Sequence, residues 1–101
     1  MTTTVSKQED RVFVTLAGEL DTAASQQVGE DLAPVYCYEN CDVYIDCKDL
    51  TYISSSGLRL LLSIYKFTRR TGHKAVLAHV NSDIQDVFIV SGFMQLFTIE
   101  E

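Results

Sequence analysis

Three times along this chain a short run of β-branched, aromatic or small apolar residues gives way to a stretch with helical apolar spacing. That alternation constrains the fold more than any other feature. The runs are Val12-Phe13-Val14-Thr15-Leu16, Val43-Tyr44-Ile45 and Ala75-Val76-Leu77-Ala78. Strand–helix–strand repeats imply parallel strands joined by right-handed crossovers. A further β-rich run over residues 2–7, separated from residues 11–17 by the polar Gln8-Glu9-Asp10, reads as an opening hairpin. A short run over residues 96–99 closes the chain. The expected order is β-β-α-β-α-β-α-β: an α/β fold with a mostly parallel central sheet packed by helices, filling residues 1–101 as one domain. The second strand is nearly all apolar, which predicts cover on both of its faces.

The helices are marked by their caps and stops. Asp21 suits the N-cap of a helix over residues 22–36, where Ala24, Val28, Leu32, Val35 and Tyr36 share a face. Gly29 weakens that helix, and Pro34 must kink it or end it near Ala33. The strongest helix spans residues 57–70, with Leu58, Leu61, Leu62 and Tyr65 on one side. Leu60, Ile64 and Phe67 form a second apolar stripe almost opposite, and Arg59, Lys66 and Arg70 share a flank between the two. A helix apolar on two sides either buries both under its neighbours or offers one to a partner. Ser54, Ser55 and Ser56 precede this helix, and each suits its N-cap. Ser82-Asp83-Ile84-Gln85 reads as a capping box for the last helix, which Gly92 stops.

Topology then points to a site. Residues 18–21, 47–57 and 81–82 all leave the carboxyl ends of parallel strands and enter helices, so they gather at the edge where open α/β sheets bind ligands. That edge collects Asp21, Asp46, Asp49, Ser54, Ser55, Ser56 and Ser82. A helix N-terminus offers free N–H groups and a positive dipole end, so a serine there can carry a phosphoryl group at little cost to the fold. Catalysis is poorly supported. A serine nucleophile needs a general base, and His73 and His79 lie elsewhere in the chain. Asp46 and Asp49 could form a catalytic or magnesium pair, but no nucleophile or phosphate loop accompanies them, and no nucleotide-binding glycine motif is present. Neither a catalytic residue, a metal site nor a cofactor is expected.

Composition limits the partners. A formal net charge of −6 speaks against nucleic acid or an anionic membrane surface and favours a basic protein. No run is long enough to span a membrane, and residues 1–7 lack the apolar core of a signal peptide, so a cytoplasmic location is expected. Cys37, Cys41 and Cys47 show no zinc spacing with the histidines and are expected as buried or half-buried thiols.

The stretch Asp49-Leu-Thr-Tyr-Ile-Ser-Ser-Ser-Gly-Leu-Arg59 resembles the signature of the STAS domain (sulfate transporter and anti-sigma-factor antagonist), and Leu16-Ala-Gly-Glu-Leu-Asp21 resembles that family's other marker. As a lone domain, the chain is similar to the bacterial anti-sigma-factor antagonists. Their usual string is Asp-Ser-[Ser/Thr]-Gly, whose first serine is phosphorylated by a partner that is both anti-sigma factor and serine kinase. The resemblance implies that Ser55 is the phosphoacceptor, with Asp21, Asp49, Ser54, Ser56, Gly57, Leu58 and Arg59 in the switch loop and partner surface. It also implies a cognate phosphatase. Ser54 stands where the antagonists usually have aspartate, and is a rival acceptor. Two other readings stay open: a STAS docking subunit of a transport or signalling assembly, in which the serines only cap a helix, and, well behind, a small hydrolase or phosphotransferase.

Overall fold

A computed structural model describes residues 1–100. Its elements, in order, are β1 (Thr2–Gln8), β2 (Arg11–Leu20), α1 (Thr22–Asp31), a 3-10 turn (Ala33–Cys37), β3 (Asp42–Asp46) and β4 (Leu50–Ile53). There follow α2 (Ser55–Arg70), β5 (Ala75–Ala78), α3 (Ser82–Ser91), the one-turn α4 (Phe93–Leu96) and β6 (Thr98–Glu100). The strands form one mixed sheet in the order β1-β2-β3-β5-β6, with β4 added beside β2. Only β1 is antiparallel; the β2–β3, β2–β4, β3–β5 and β5–β6 pairs are all parallel. The expected α/β architecture and its parallel crossovers therefore hold.

Four details depart from expectation. The 47–57 segment is not all loop, because Leu50-Thr-Tyr-Ile53 forms β4. The long β2 makes this possible. Residues 11–15 pair with β3, and after a register shift between Gly18 and Glu19 its last residues pair with β4. Gly18 has φ +105, a conformation that side chains resist, and its N–H donates to the Asp49 carbonyl at 2.9 Å. So β2 runs on to Leu20 and does not stop at residue 17. Secondly, β2 is covered on one face only. Val12, Val14 and Leu16 are fully buried, whereas Phe13, Thr15 and Ala17 between them are half-buried. Thirdly, the first helix ends at Asp31; Pro34 sits in the first turn of the separate 3-10 segment, where its missing N–H does no harm. Fourthly, Phe93–Leu96 turns helically before the last strand begins at Thr98.

The two-sided apolarity of α2 is explained by its neighbours. Leu61, Ile64 and Phe67 are buried against the sheet and α1, and the Tyr36 ring of the 3-10 turn meets Phe67 edge-on at 5.1 Å. Leu60 packs over Gly29 of α1. The second stripe is thus covered from within. Leu58, Leu62 and Tyr65 are only half-buried, Tyr65 lying 5.3 Å from the Phe97 ring. Of the cysteines, Cys41 and Cys47 are buried, but Cys37 is exposed on the 3-10 turn, contrary to expectation.

Candidate functional site

Three backbone-anchored contacts bring the expected edge together. The Ser54 N–H donates to the Leu20 carbonyl at 2.8 Å, the Gly18 N–H to the Asp49 carbonyl at 2.9 Å, and Asn81 Nδ2 to the Leu50 carbonyl at 2.7 Å. The ends of β2, β4 and β5 are thereby locked beside one another at the entries to α1, α2 and α3. The parallel Leu20–Ile53 pair also places Asp21 alongside Ser54.

Within this edge the serines have separate positions. Ser54 has extended backbone (φ −86, ψ 172), is 7% exposed, and its Oγ accepts the Gly57 N–H at 3.1 Å. It is the N-cap. Ser55 is the first helical residue and is exposed; among the described residues its hydroxyl has no hydrogen-bond partner. Ser56 is half-buried. The helix therefore begins two residues earlier than apolar spacing suggested, because α2 includes Ser55 and Ser56.

Gly57 is fixed by packing, where a glycine's freedom would otherwise suggest a flexible loop. It is buried in the first turn of α2, and a Cβ there would lie 2.7 Å from Leu20 Cγ and 2.8 Å from Ile53 Cγ1. Only a hydrogen lets α2 sit this close to β2 and β4. Leu58 next to it is half-buried and Arg59 exposed.

The carboxylates do not converge on the serines as a set. Asp21 Oδ1 accepts the Ala24 N–H at 2.8 Å and caps α1. Asp46 Oδ1 accepts the Lys48 N–H at 2.9 Å and lies 3.2 Å from His79 Nδ1. Asp49 is exposed, anchored by its main chain. Beneath them, burial and then the Asp46 charge push the Cys47 thiol up to about 12, so it stays protonated and unreactive.

Ser82 is the first residue of α3, not its cap. Asn81 takes that place: its Oδ1 accepts the Ile84 N–H at 3.0 Å while its Nδ2 reaches β4. Sequence reading passed over Asn81. Its signal was present, since asparagine is as good an N-cap as serine, but two adjacent candidates cannot be ranked without the backbone.

Comparison with known proteins agrees with this fold. The sequence model of the STAS domain matches residues 3–101. BtrV of Bordetella bronchiseptica, provisionally named an anti-sigma factor antagonist, is 30% identical over 99 residues, covering 98% of this chain and 85% of its own. The anti-sigma-B factor antagonist of Bacillus subtilis is 25% identical over 95 residues, covering 94% and 86%. The anti-sigma factor antagonist SpoIIAA shares the fold: its unphosphorylated form superposes with a TM-score of 0.80 at 19% identity, covering 97% of this chain and 87% of SpoIIAA. The phosphorylated form of the Bacillus SpoIIAA superposes with a TM-score of 0.74, also at 19% identity, covering 97% and 90%.

Proposed function

The chain belongs to the STAS domain family, and from that premise we propose that it is a phosphorylation-switched anti-sigma-factor antagonist: unmodified at Ser55 it binds an anti-sigma factor with serine kinase activity, and phosphorylated it lets go. The observation that carries this reading is the division among the three serines. Ser54 is buried and occupied as a cap, Ser56 is half-buried, and Ser55 alone presents a free hydroxyl on an exposed helix start. That favours Ser55 over Ser54 as the acceptor. The relatives' names are those of regulators acting on anti-sigma factors, and SpoIIAA exists in both phosphorylation states.

Physically, the protein needs no catalysis of its own. A phosphoryl group adds about −1.5 to −2 charges at pH 7. Placed inside an interface that includes Asp21, Asp49, Ser56, Leu58 and Arg59, it would be desolvated by the partner, and the like charge of Asp21 and Asp49 on the same edge would add to the repulsion. Weakening a complex from nanomolar to micromolar takes about 4 kcal/mol, within the range that an unpaired buried charge supplies. A phosphatase then resets the switch, and the cycle runs in the cytoplasm. The test is phosphopeptide mass spectrometry on the protein from its own cells, with Ser55→Ala as control. The expected result is a phosphate on Ser55 that the variant lacks; a phosphate confined to Ser54, or none under any growth condition, refutes the proposal.

A further inference from the structure

The outer strands of the sheet are guarded unequally. A strand edge offers a row of unpaired N–H and C=O groups, and proteins blunt it with short length, charge, proline, a bulge or a covering element. β6 is three residues long and ends in Glu100. β4 packs beside α3, and Asn81 Nδ2 takes its Leu50 carbonyl. β1 has only one such device. Its seven residues, Thr2–Gln8, run in unbroken register with β2 and include no proline and no acid. The one charge, Lys7, is drawn to the hairpin turn, where its Nζ donates to the Glu9 carbonyl at 2.8 Å and stands 5.8 Å from the Tyr38 ring centroid.

The hairpin decides which groups face outward. Gln8 and Arg11 flank the tight turn Glu9-Asp10, in which Glu9 has φ +57, so they exchange main-chain hydrogen bonds with each other. Ser6, Thr4 and Thr2 then do the same with their partners on β2, because bonded pairs alternate along an antiparallel ladder. The N–H and C=O groups of Thr3, Val5 and Lys7 therefore point away from the sheet, and among the described residues they have no partner. These residues are spaced evenly about Val5. Thr3 and Val5 are only half-buried and Lys7 is exposed, so α1 does not roof the edge.

From this arrangement we propose that β1 pairs with β1 of a second copy about a two-fold axis through Val5, joining two sheets into one. The pairing is antiparallel, so Val5 stands opposite Val5 and Thr3 opposite Lys7. The three outward-facing residues exchange about six main-chain hydrogen bonds with the same residues of the other copy. On the other face Thr4 meets Ser6, a hydroxyl pair that hydrogen-bonds across strands, and Thr2 meets Gln8. No like charges meet. This self-complementarity favours a second copy over a foreign strand. Charge favours the same edge: residues 1–8 hold no Asp or Glu in a chain of net charge −6, so two acidic bodies approach where they repel least. The proposal is independent of the switch reading. Because the axis reverses strand direction, the two Ser55 edges face opposite ends and both stay open to a partner.

The test is sedimentation velocity at protein concentrations up to about 1 mM, with amide hydrogen exchange followed by NMR at the two extremes. The expected result is a reversible monomer–dimer equilibrium in which the Thr3, Val5 and Lys7 amides gain protection at high concentration. Val5→Pro removes the outward N–H at the axis, leaves the β1–β2 bonds in place and should weaken the dimer about tenfold. A second pair of variants reads the register from exposed positions. Thr4→Lys/Ser6→Lys sets like charges opposite one another and should weaken the dimer about tenfold, whereas Thr4→Lys/Ser6→Glu sets opposite charges there and should retain it. Circular dichroism checks that each variant folds. A monomer at every concentration, protection gained elsewhere but not at these three amides, or a dimer indifferent to the charge pattern overturns the proposal.

Discussion

Two glycines lie inside helices of this protein, and replacing each by alanine has opposite expected effects. Helix propensity alone treats them alike: Ala over Gly in a helix is worth about 1 kcal/mol. At Gly29 of α1 the added Cβ would meet only Leu60 Cδ2, at 3.4 Å, an ordinary contact. Gly29→Ala should therefore stabilise by about 0.5–1 kcal/mol. At Gly57 the Cβ would stand 2.7 and 2.8 Å from branch carbons of Leu20 and Ile53, and 3.0 Å from Leu20 Cδ2. Those side chains are 0% and 5% exposed and cannot swing away, so the start of α2 must lift off β2 and β4. Overpacking costs about 1–3 kcal/mol, and with contacts this short against side chains that cannot move, the upper part of that range, about 2–3 kcal/mol, applies; less the propensity gain, the net loss is roughly 1–2 kcal/mol. For a chain of this size that lowers Tm by roughly 5–15 °C. Paired urea and thermal melts followed by circular dichroism measure both variants. A Gly57→Ala protein as stable as wild type, or less destabilised than Gly29→Ala, refutes the packing argument.

Other substitutions test the remaining parts of the edge. Ser54→Ala removes the Oγ that accepts the Gly57 N–H and should lose about 1 kcal/mol in a urea titration, whereas Ser55→Ala, at an exposed position, should stay within about 0.5 kcal/mol of wild type. Asn81→Asp keeps the cap on Ile84 but replaces the donor to the Leu50 carbonyl by a second acceptor; the expected loss is about 1–3 kcal/mol, with Asn81→Ala losing both bonds. At pH 8 a thiol reagent should label Cys37 in the native protein and reach Cys41 and Cys47 only on unfolding. Because the folded Cys47 thiol holds its proton to about 12 against an ordinary 9.0, the unfolded chain ionises first. Stability should accordingly fall above pH 9 by up to about 1.4 kcal/mol per unit, and Cys47→Ala should flatten that slope.

What could be read from the sequence followed from periodicity and connection rules. Alternating strand and helix patterns imply parallel crossovers, and parallel crossovers imply a shared edge, which is why the segments that carry Asp21, Asp49 and the serines meet through the Gly18–Asp49 and Ser54–Leu20 main-chain hydrogen bonds. Residues whose role depends on tertiary pairing were not legible. Leu50-Thr-Tyr-Ile53 has buried ends and an exposed middle, a pattern that gives no period-2 signal, and it becomes a strand only because β2 runs past β3. The apolarity of β2 suggested cover on both sides, yet Phe13 sits 5.5 Å from Tyr44 on the uncovered face, where aromatic pairing in the sheet takes the place of a helix. Gly57 read as part of a loop motif, while its geometric reason is the approach of Leu20, a residue 37 positions earlier.

The separation of roles among Ser54, Ser55 and Gly57 bears on how a switch at this edge has to work. The cap hydrogen bond belongs to Ser54 and the close packing to Gly57, so neither depends on the Ser55 hydroxyl. A phosphate on the first residue of α2 meets the positive end of the helix, an interaction worth about 0.3–1 kcal/mol in favour of the folded state. Phosphorylation at Ser55 would therefore leave the fold as stable as before, or slightly more so. A switch that acted by melting α2 would need the acceptor at the cap or at the helix C-terminus, where added charge opposes the structure. Placed on Ser55, the charge can act only on what lies outside the molecule, through repulsion and desolvation at a docked surface. In the proposed switch, release of a partner comes from an altered surface on an unaltered scaffold, and the buried neighbours of Ser55 are what keep that scaffold unaltered.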